Sequence, residues 1–211
     1  MLGIIRVITL ADPRAIAAHG EVVRRHFGLP VLSACIEDQP EGIYDDASEA
    51  VAVPKIVAAA RQLRARGCGA IGISCAADPA LAECRAALDV PVIGAGSAAG
   101  YMARSLAGRI GVLTILDATP RPLRTLLGEA YTGHGKPEGV RTTLDLQSPA
   151  GQAAAIVAAG KLIDGGAQAI VLACTGFATL EFAPVLRRHF GIPFIDPIVA
   201  LGACAVPVLG A

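Results

Sequence analysis

Ala70-Ile71-Gly72-Ile73-Ser74-Cys75 and Ala169-Ile170-Val171-Leu172-Ala173-Cys174 are two versions of one pattern, offset by 99 residues from Cys75 to Cys174. Each is a short apolar run ending in a cysteine, as expected for a strand covered on both faces. Flanking matches extend the repeat. Val90-Pro91-Val92-Ile93-Gly94 corresponds to Ile192-Pro193-Phe194-Ile195-Asp196, with three more residues intervening, and Val7-Ile8-Thr9-Leu10 corresponds to Val112-Leu113-Thr114-Ile115. Each half opens with a strand ending in Thr and later has a strand ending in Cys, so the chain reads as an internal duplication.

Working outward, short β-branched runs alternate with longer Ala/Leu/Arg-rich stretches, the pattern of parallel βαβ units. Strands are expected near 4–10, 30–36, 69–75, 91–94, 109–115, 140–145, 167–174 and 193–196. Helices are expected near 13–26, 47–66, 79–88, 97–106, 120–130, 149–164, 178–189 and 197–208, with Pro54 either starting or kinking the second. The fold class is α/β: two similar lobes with mainly parallel sheets covered by helices, related by a pseudo-twofold. The lobes are expected at 1–96 and 97–196, with a C-terminal helix over 197–211 packing back on the first. Strand ends of both would face one inter-lobe cleft.

A second match runs in a different register. Arg24-Arg25-His26-Phe27-Gly28-Leu29-Pro30 resembles Arg187-Arg188-His189-Phe190-Gly191-Ile192-Pro193. Basic residues and His suit a helix C-terminus, Gly takes the left-handed cap and Pro opens the next strand. Neither His is nominated for chemistry.

Composition narrows the function classes. Of 211 residues, 54% are hydrophobic and 17% charged, so a sizeable core is expected and disorder is not. Lys plus Arg equals Asp plus Glu at 18 each, leaving no net field to attract nucleic acid or anionic lipid. The longest uncharged apolar run, from Ile198, is too short to span a bilayer and contains Pro207. The N-terminal stretch reads as a first strand rather than an export signal. A cytoplasmic location with reduced thiols follows as an expectation for the six cysteines. No C-x-x-C pair occurs, so neither a zinc site nor a dithiol redox site is indicated. The expected partner is a small-molecule substrate, with no nucleic acid and no membrane; a homo-oligomer is left open.

Ligands of open α/β sheets bind beyond the carboxyl ends of strands. Cys75 and Cys174 sit there, each followed by small residues and then a helix, whose N-terminus favours a thiolate. A single free Cys is commonly just a small core residue. Two at corresponding repeat positions are harder to explain that way, whereas Cys35, Cys68, Cys84 and Cys204 lack such a partner. Two opposed thiols suit proton transfer at one carbon: one thiolate removes the proton while the other thiol delivers one to the opposite face. Backbone N–H groups around Ala76-Ala77 and Thr175-Gly176 would stabilise the carbanion. Thr9, Ser97 and Thr114 are candidate anchors, and Gln39 lies in a polar loop, Cys35 to Tyr44, placed to close over a ligand.

These residues carry a family resemblance. Ile73-Ser74-Cys75-Ala76-Ala77-Asp78-Pro79, Pro91-Val92-Ile93-Gly94-Ala95-Gly96-Ser97-Ala98-Ala99, Leu172-Ala173-Cys174-Thr175-Gly176 and Ile195-Asp196-Pro197 resemble the cofactor-independent aspartate/glutamate/hydantoin racemase superfamily, in its hydantoin-racemase-like branch. The resemblance implies two cysteine acid/bases in a cleft between lobes, with no cofactor, neither pyridoxal phosphate nor metal. There are departures. Hydantoin-type racemases usually show Asn-Pro-Asn-Thr after the first strand, where this chain has Thr9-Leu10-Ala11-Asp12. Dicarboxylate racemases usually have Asn-Thr and Thr-Glu after the two cysteines, where Ala76-Ala77 and Thr175-Gly176 stand here. The smaller, less charged surroundings favour a hydantoin-like cyclic ureide over aspartate or glutamate.

Three alternatives compete. Gly94-Ala95-Gly96-Ser97-Ala98-Ala99 formally fits a dinucleotide fingerprint, yet it follows the fourth strand, its repeat partner is not glycine-rich, and a tight turn explains its glycines equally well. A decarboxylase or isomerase on the same scaffold is a second alternative, although such enzymes can use only one of the two cysteines. The third, from another class, is a non-catalytic ligand-binding protein.

Overall fold

A computed structural model describes residues 1–210 of the chain, apart from the side chain of Leu144. Residue 211, the end of the helix expected over 197–211, lies outside the described residues. The first half runs β1 (Leu2–Arg6), α1 (Pro13–Phe27), β2 (Val31–Cys35), α2 (Asp46–Ala65), β3 (Ala70–Ser74), α3 (Leu81–Ala87), β4 (Val92–Gly94) and α4 (Ala95–Leu106). The second runs β5 (Ile110–Leu113), α5 (Arg121–Leu127), β6 (Tyr131–Gly135), α6 (Thr143–Gln147), α7 (Pro149–Asp164), β7 (Ala169–Leu172), α8 (Gly176–Thr179), α9 (Phe182–Phe190), β8 (Phe194–Ile195) and α10 (Pro197–Leu209).

Every strand pair is parallel, and the two four-stranded sheets have the same order: β2-β1-β3-β4 and β6-β5-β7-β8. The contacts divide the chain into two compact units, Met1–Ala95 together with the chain from Leu201 on, and Gly96–Ala200. In the first unit, Ile5, Ile71 and Ile73 pack against Ile56, Ala60 and Leu63 of α2. On β3, a Cβ at Gly72 would run into Leu201 of α10, so glycine there permits close helix-on-sheet packing. In the second unit, Leu113, Ile170 and Leu172 pack with Ala155, Ala159 and Leu162 of α7 and with Leu186 of α9. Each fully buried Ile or Leu contributes about 1.5–3 kcal/mol relative to exposure.

Local chemistry sets the helix ends. Asp12 caps α1, accepting from the Arg14 N–H at 3.0 Å, and Pro13 occupies the first turn. The Arg-Arg-His-Phe-Gly segments end α1 and α9 as expected: Gly28 and Gly191 are left-handed, and their N–H groups donate to Arg24 and Arg187 carbonyls. A capping box between Asp45 and Ser48 starts α2, so Pro54 lies inside that helix rather than at its start.

Two expectations are corrected. No strand forms over 140–145: the fourth strand of the second sheet is β6, earlier in the chain, and Thr143–Gln147 is helical. Thr142 accepts from the Asp145 N–H while the Asp145 carboxylate accepts from Thr142, a capping box that overrides the β-branched character of the segment. The repeat register also changes. Ile5 pairs with Ile73 and Leu113 with Leu172, so superposing the two cysteines brings Thr114 onto Arg6, not onto Thr9. The Val-x-Thr match was local similarity, whereas strand pairing fixes the true equivalence.

No helix among the described residues is long and apolar enough to cross a membrane.

Candidate functional site

Cys75 directly follows β3 and is half-buried, against the apolar cluster of the first sheet. The chain then turns: the Asp78 N–H donates to the Cys75 carbonyl at 3.1 Å, and Asp78 and Ala80 take left-handed φ values of 52° and 57° before α3 begins. Left-handed backbone at two non-glycine residues is costly, about 1–2 kcal/mol each, and such strain tends to gather at functional sites. Ala76 is buried and Ala77 half-buried within this turn.

Cys174 is placed alike on the second sheet, two residues beyond the end of β7 at Leu172. It too is half-buried, with its turn closed by Phe177 N–H donating to the Cys174 carbonyl at 3.2 Å. The Gly176 N–H donates to the thiol, which favours the thiolate, but desolvation is larger and pushes the group up to about 11. The expected lowering by a helix start is therefore reversed at Cys174, because α8 is a single four-residue turn and the sulfur is closely surrounded. A Cβ at Gly176 would meet Thr143 Cγ2 at 2.9 Å and the Cys174 sulfur at 3.4 Å. The short helix α6 thus braces the turn that follows Cys174. Thr143 escaped the sequence reading, although Thr142 and Asp145 three residues apart carried the capping-box signal.

The other nominated residues divide by role. Thr9 joins two loops: its hydroxyl donates to the Ile36 carbonyl at 2.7 Å and accepts from the Gln39 N–H at 2.8 Å. Gln39 is buried and committed within its own loop. Its amide donates to the Gly42 and Ser48 carbonyls, and its oxygen accepts from Lys55 Nζ at 3.0 Å. Thr114 is fully buried, where its hydroxyl accepts from the Leu116 N–H at 3.2 Å. These three hold the loops that leave the strand ends. Ser97 and Thr175 are half-buried, Ser97 in the first turn of α4 and Thr175 at the start of α8.

Behind Cys75 lies a polar pair that the sequence reading missed. Ser74 Oγ is 2.6 Å from His19 Nδ1, and both residues are almost fully buried. Arg6, in register with Ser74 and with Cys35, donates from Nη1 to the Ala15 carbonyl at 2.5 Å. Burial pushes the Cys35 thiol up, partly offset by a backbone hydrogen bond from Leu10 and by the Arg6 charge. Cys68 and Cys84 are buried in the first unit, and Cys84 is pushed up to about 11 by burial and the neighbouring Glu83 charge. Neither follows a strand end as Cys75 and Cys174 do.

The sequence and the fold are similar to those of known proteins. A family model described as Asp/Glu/hydantoin racemase matches residues 16–205. A hydantoin racemase from Rhizobium meliloti is 30% identical over 208 residues, 95% of this chain and 85% of that protein. Another hydantoin racemase, from Pseudomonas sp. (strain NS671), is 32% identical over 170 residues, 76% of this chain but only 65% of that protein's length. Among solved structures, an allantoin racemase from Klebsiella pneumoniae matches with a TM-score of 0.86 and 26% identity, covering 99% of this chain and 88% of that one. With the family model spanning most of its length, the chain belongs to the Asp/Glu/hydantoin racemase family.

Proposed function

We propose that this chain is a cofactor-independent racemase that moves a proton at one carbon of a hydantoin-like cyclic ureide, with Cys75 and Cys174 as the two acid/bases. The observation that carries the reading is their equivalence. Each follows the third strand of its sheet, at the carboxyl edge where α/β sheets take ligands. In one direction, one thiolate accepts the proton on carbon and the other thiol donates its proton to the opposite face; the reverse reaction exchanges the roles. No proton is gained or lost overall. Between the two transfers the charge spreads into the ring carbonyl, where backbone N–H groups near Ala76, Ala77, Thr175 and Gly176 are the donors proposed.

The substrate class rests on two supports. Relatives are named for hydantoin and allantoin, both five-membered cyclic ureides. Ala76, Ala77 and Gly176 bring no charge to the thiols, which suits a neutral ring better than a dicarboxylate. A free amino acid is also harder to deprotonate at carbon, since its carboxylate resists further negative charge.

Proton–deuterium exchange in D₂O over enantiopure 5-substituted hydantoins, allantoin, L-aspartate and L-glutamate, with chiral chromatography of the products, tests both parts. Exchange and inversion of the ureides alone is the expected result. Racemisation of the amino acids, with the ureides changing only at their spontaneous rate, would overturn the substrate class and leave the two-thiol chemistry standing.

A further inference from the structure

The two halves of the chain place a carboxylate at equivalent strand ends by different routes. In the second unit, Asp196 directly follows β8, and its Oδ1 accepts from the Ile198 and Val199 N–H groups at 2.8 and 3.2 Å. The corresponding residue of the first unit is Gly94, which has no side chain to offer. Asp78 supplies the carboxylate instead. It lies so close over Gly94 that a Cβ built there would overlap its Cγ and both oxygens. Asp78 is buried, at 7% exposure, and reaches this place through a left-handed backbone tied to the Cys75 carbonyl. Gly94 pairs with Ile73, two residues before Cys75. The carboxylate is therefore held over the strand next to the one that carries Cys75, a lateral step of about 4.8 Å. At the same point after Cys174 stands Phe177, fully buried, uncharged and stacked on Phe182 at 5.9 Å between centroids.

We infer that Asp78 is a positioning residue for Cys75, an inference resting on the reading of Cys75 as an acid/base thiol. Seated on Gly94, its carboxylate fixes the turn from Cys75 to Ala80 and stands one strand away from that thiol. A nearby negative charge disfavours the thiolate, so Asp78 biases Cys75 toward its proton-donating form. Gly94, the first glycine of the apparent dinucleotide fingerprint, is glycine because this carboxylate occupies the space of a side chain.

Asp78→Asn removes the charge and keeps the shape; Asp78→Ala removes both; Gly94→Ala keeps the charge but evicts it from its seat. Alkylation by iodoacetamide across the neutral to alkaline range, followed by mass spectrometry at each cysteine, reads the thiols without reference to any substrate. Asp78→Asn should label Cys75 about threefold faster near neutral pH, with Cys174 unchanged, as expected for one screened charge removed nearby. Asp78→Ala and Gly94→Ala should lower kcat for ureide racemisation about tenfold with KM little changed, the signature of a displaced acid/base. Wild-type labelling of Cys75 in Asp78→Asn, or an equal change at both cysteines, would overturn the inference. Should Gly94→Ala not fold, the Asp78→Asn labelling decides alone. If the wild-type protein exchanges the proton of neither the ureides nor the amino acids, the two-thiol reading falls, while the labelling contrast still decides the role of Asp78.

Discussion

The two units share strand order, direction and the position of a cysteine, yet they build the turn after that cysteine from different materials. After Cys75 the turn is held by polar means: Asp78 on Gly94, two left-handed residues, and the Ser74–His19 pair behind the strand. After Cys174 it is held by apolar ones: Phe177 in the core, Ala173 in place of Ser74, and Thr143 against Gly176. Sheet pairing preserves where each thiol sits, while the side chains beneath it are free to diverge. The same architecture can therefore surround two equivalent thiols with different neighbours.

The hardest blow to that picture is removal of either sulfur. Cys75→Ala and Cys174→Ala should each lower racemisation by about a thousandfold or more, because the proposed scheme gives each face of the substrate its own group. One variant should still exchange the proton of a single enantiomer, since abstraction needs only one thiolate. Near-normal racemisation in either single variant would end the two-base scheme. Conversion of Cys35, Cys68, Cys84 or Cys204 to Ala should leave turnover within about threefold, since surface or core changes act on stability first.

Titration sharpens the comparison next. With Cys174 pushed up to about 11, its alkylation should climb about tenfold per pH unit from neutrality until that value, because only the thiolate reacts. The same shift bears on stability. The folded state holds this proton more tightly than the unfolded chain, so the contribution is complete below the unfolded thiol range and is lost as pH rises toward about 11. A labelling profile for Cys174 that levels off near neutral pH would show instead that the Gly176 N–H outweighs desolvation.

A smaller effect isolates the polar pair behind Cys75. The strand pairing that aligns Arg6 with Thr114 carries Ser74 onto Ala173, and Ala173 is buried. The second unit thus shows the apolar version of the same place. Ser74→Ala or His19→Leu alone should cost about 1–3 kcal/mol in denaturant unfolding by stranding a buried partner, whereas the double replacement should recover most of the loss. Additive losses in the double variant would mean that the two side chains do not depend on each other.

How much of this was legible in the chain follows the range of the interactions. The cysteine strands stand out because each is a continuous apolar run and each appears twice. The twin helix ends were legible as well, since Arg, His and Gly act within one turn. Strand β6 was not: Tyr131-Thr132-Gly133-His134-Gly135 has two glycines and little apolar content, and only pairing with β5 makes it a strand. Asp78 was quoted in a motif, yet its partner Gly94 is distant in sequence. His19 is 55 residues from Ser74 and went unnoticed among four histidines. Contacts of that range leave no periodic trace.

The smallest effect concerns a place where the units should not differ. Gly28 and Gly191 end α1 and α9 with φ of 68° and 73°, and a Cβ built on either meets nothing within 4 Å. Replacement by Ala at each should therefore cost only the left-handed backbone, about 1 kcal/mol, with no steric part. Because the caps repeat the same hydrogen bond, to Arg24 and to Arg187, the two losses should agree within about 0.5 kcal/mol and add in the double variant. Racemisation should be unchanged, since neither cap touches a turn that carries a thiol. Denaturant midpoints of the two single variants and the double variant measure this. Unequal losses would show that the units differ in backbone stability as well as in the chemistry beneath their cysteines.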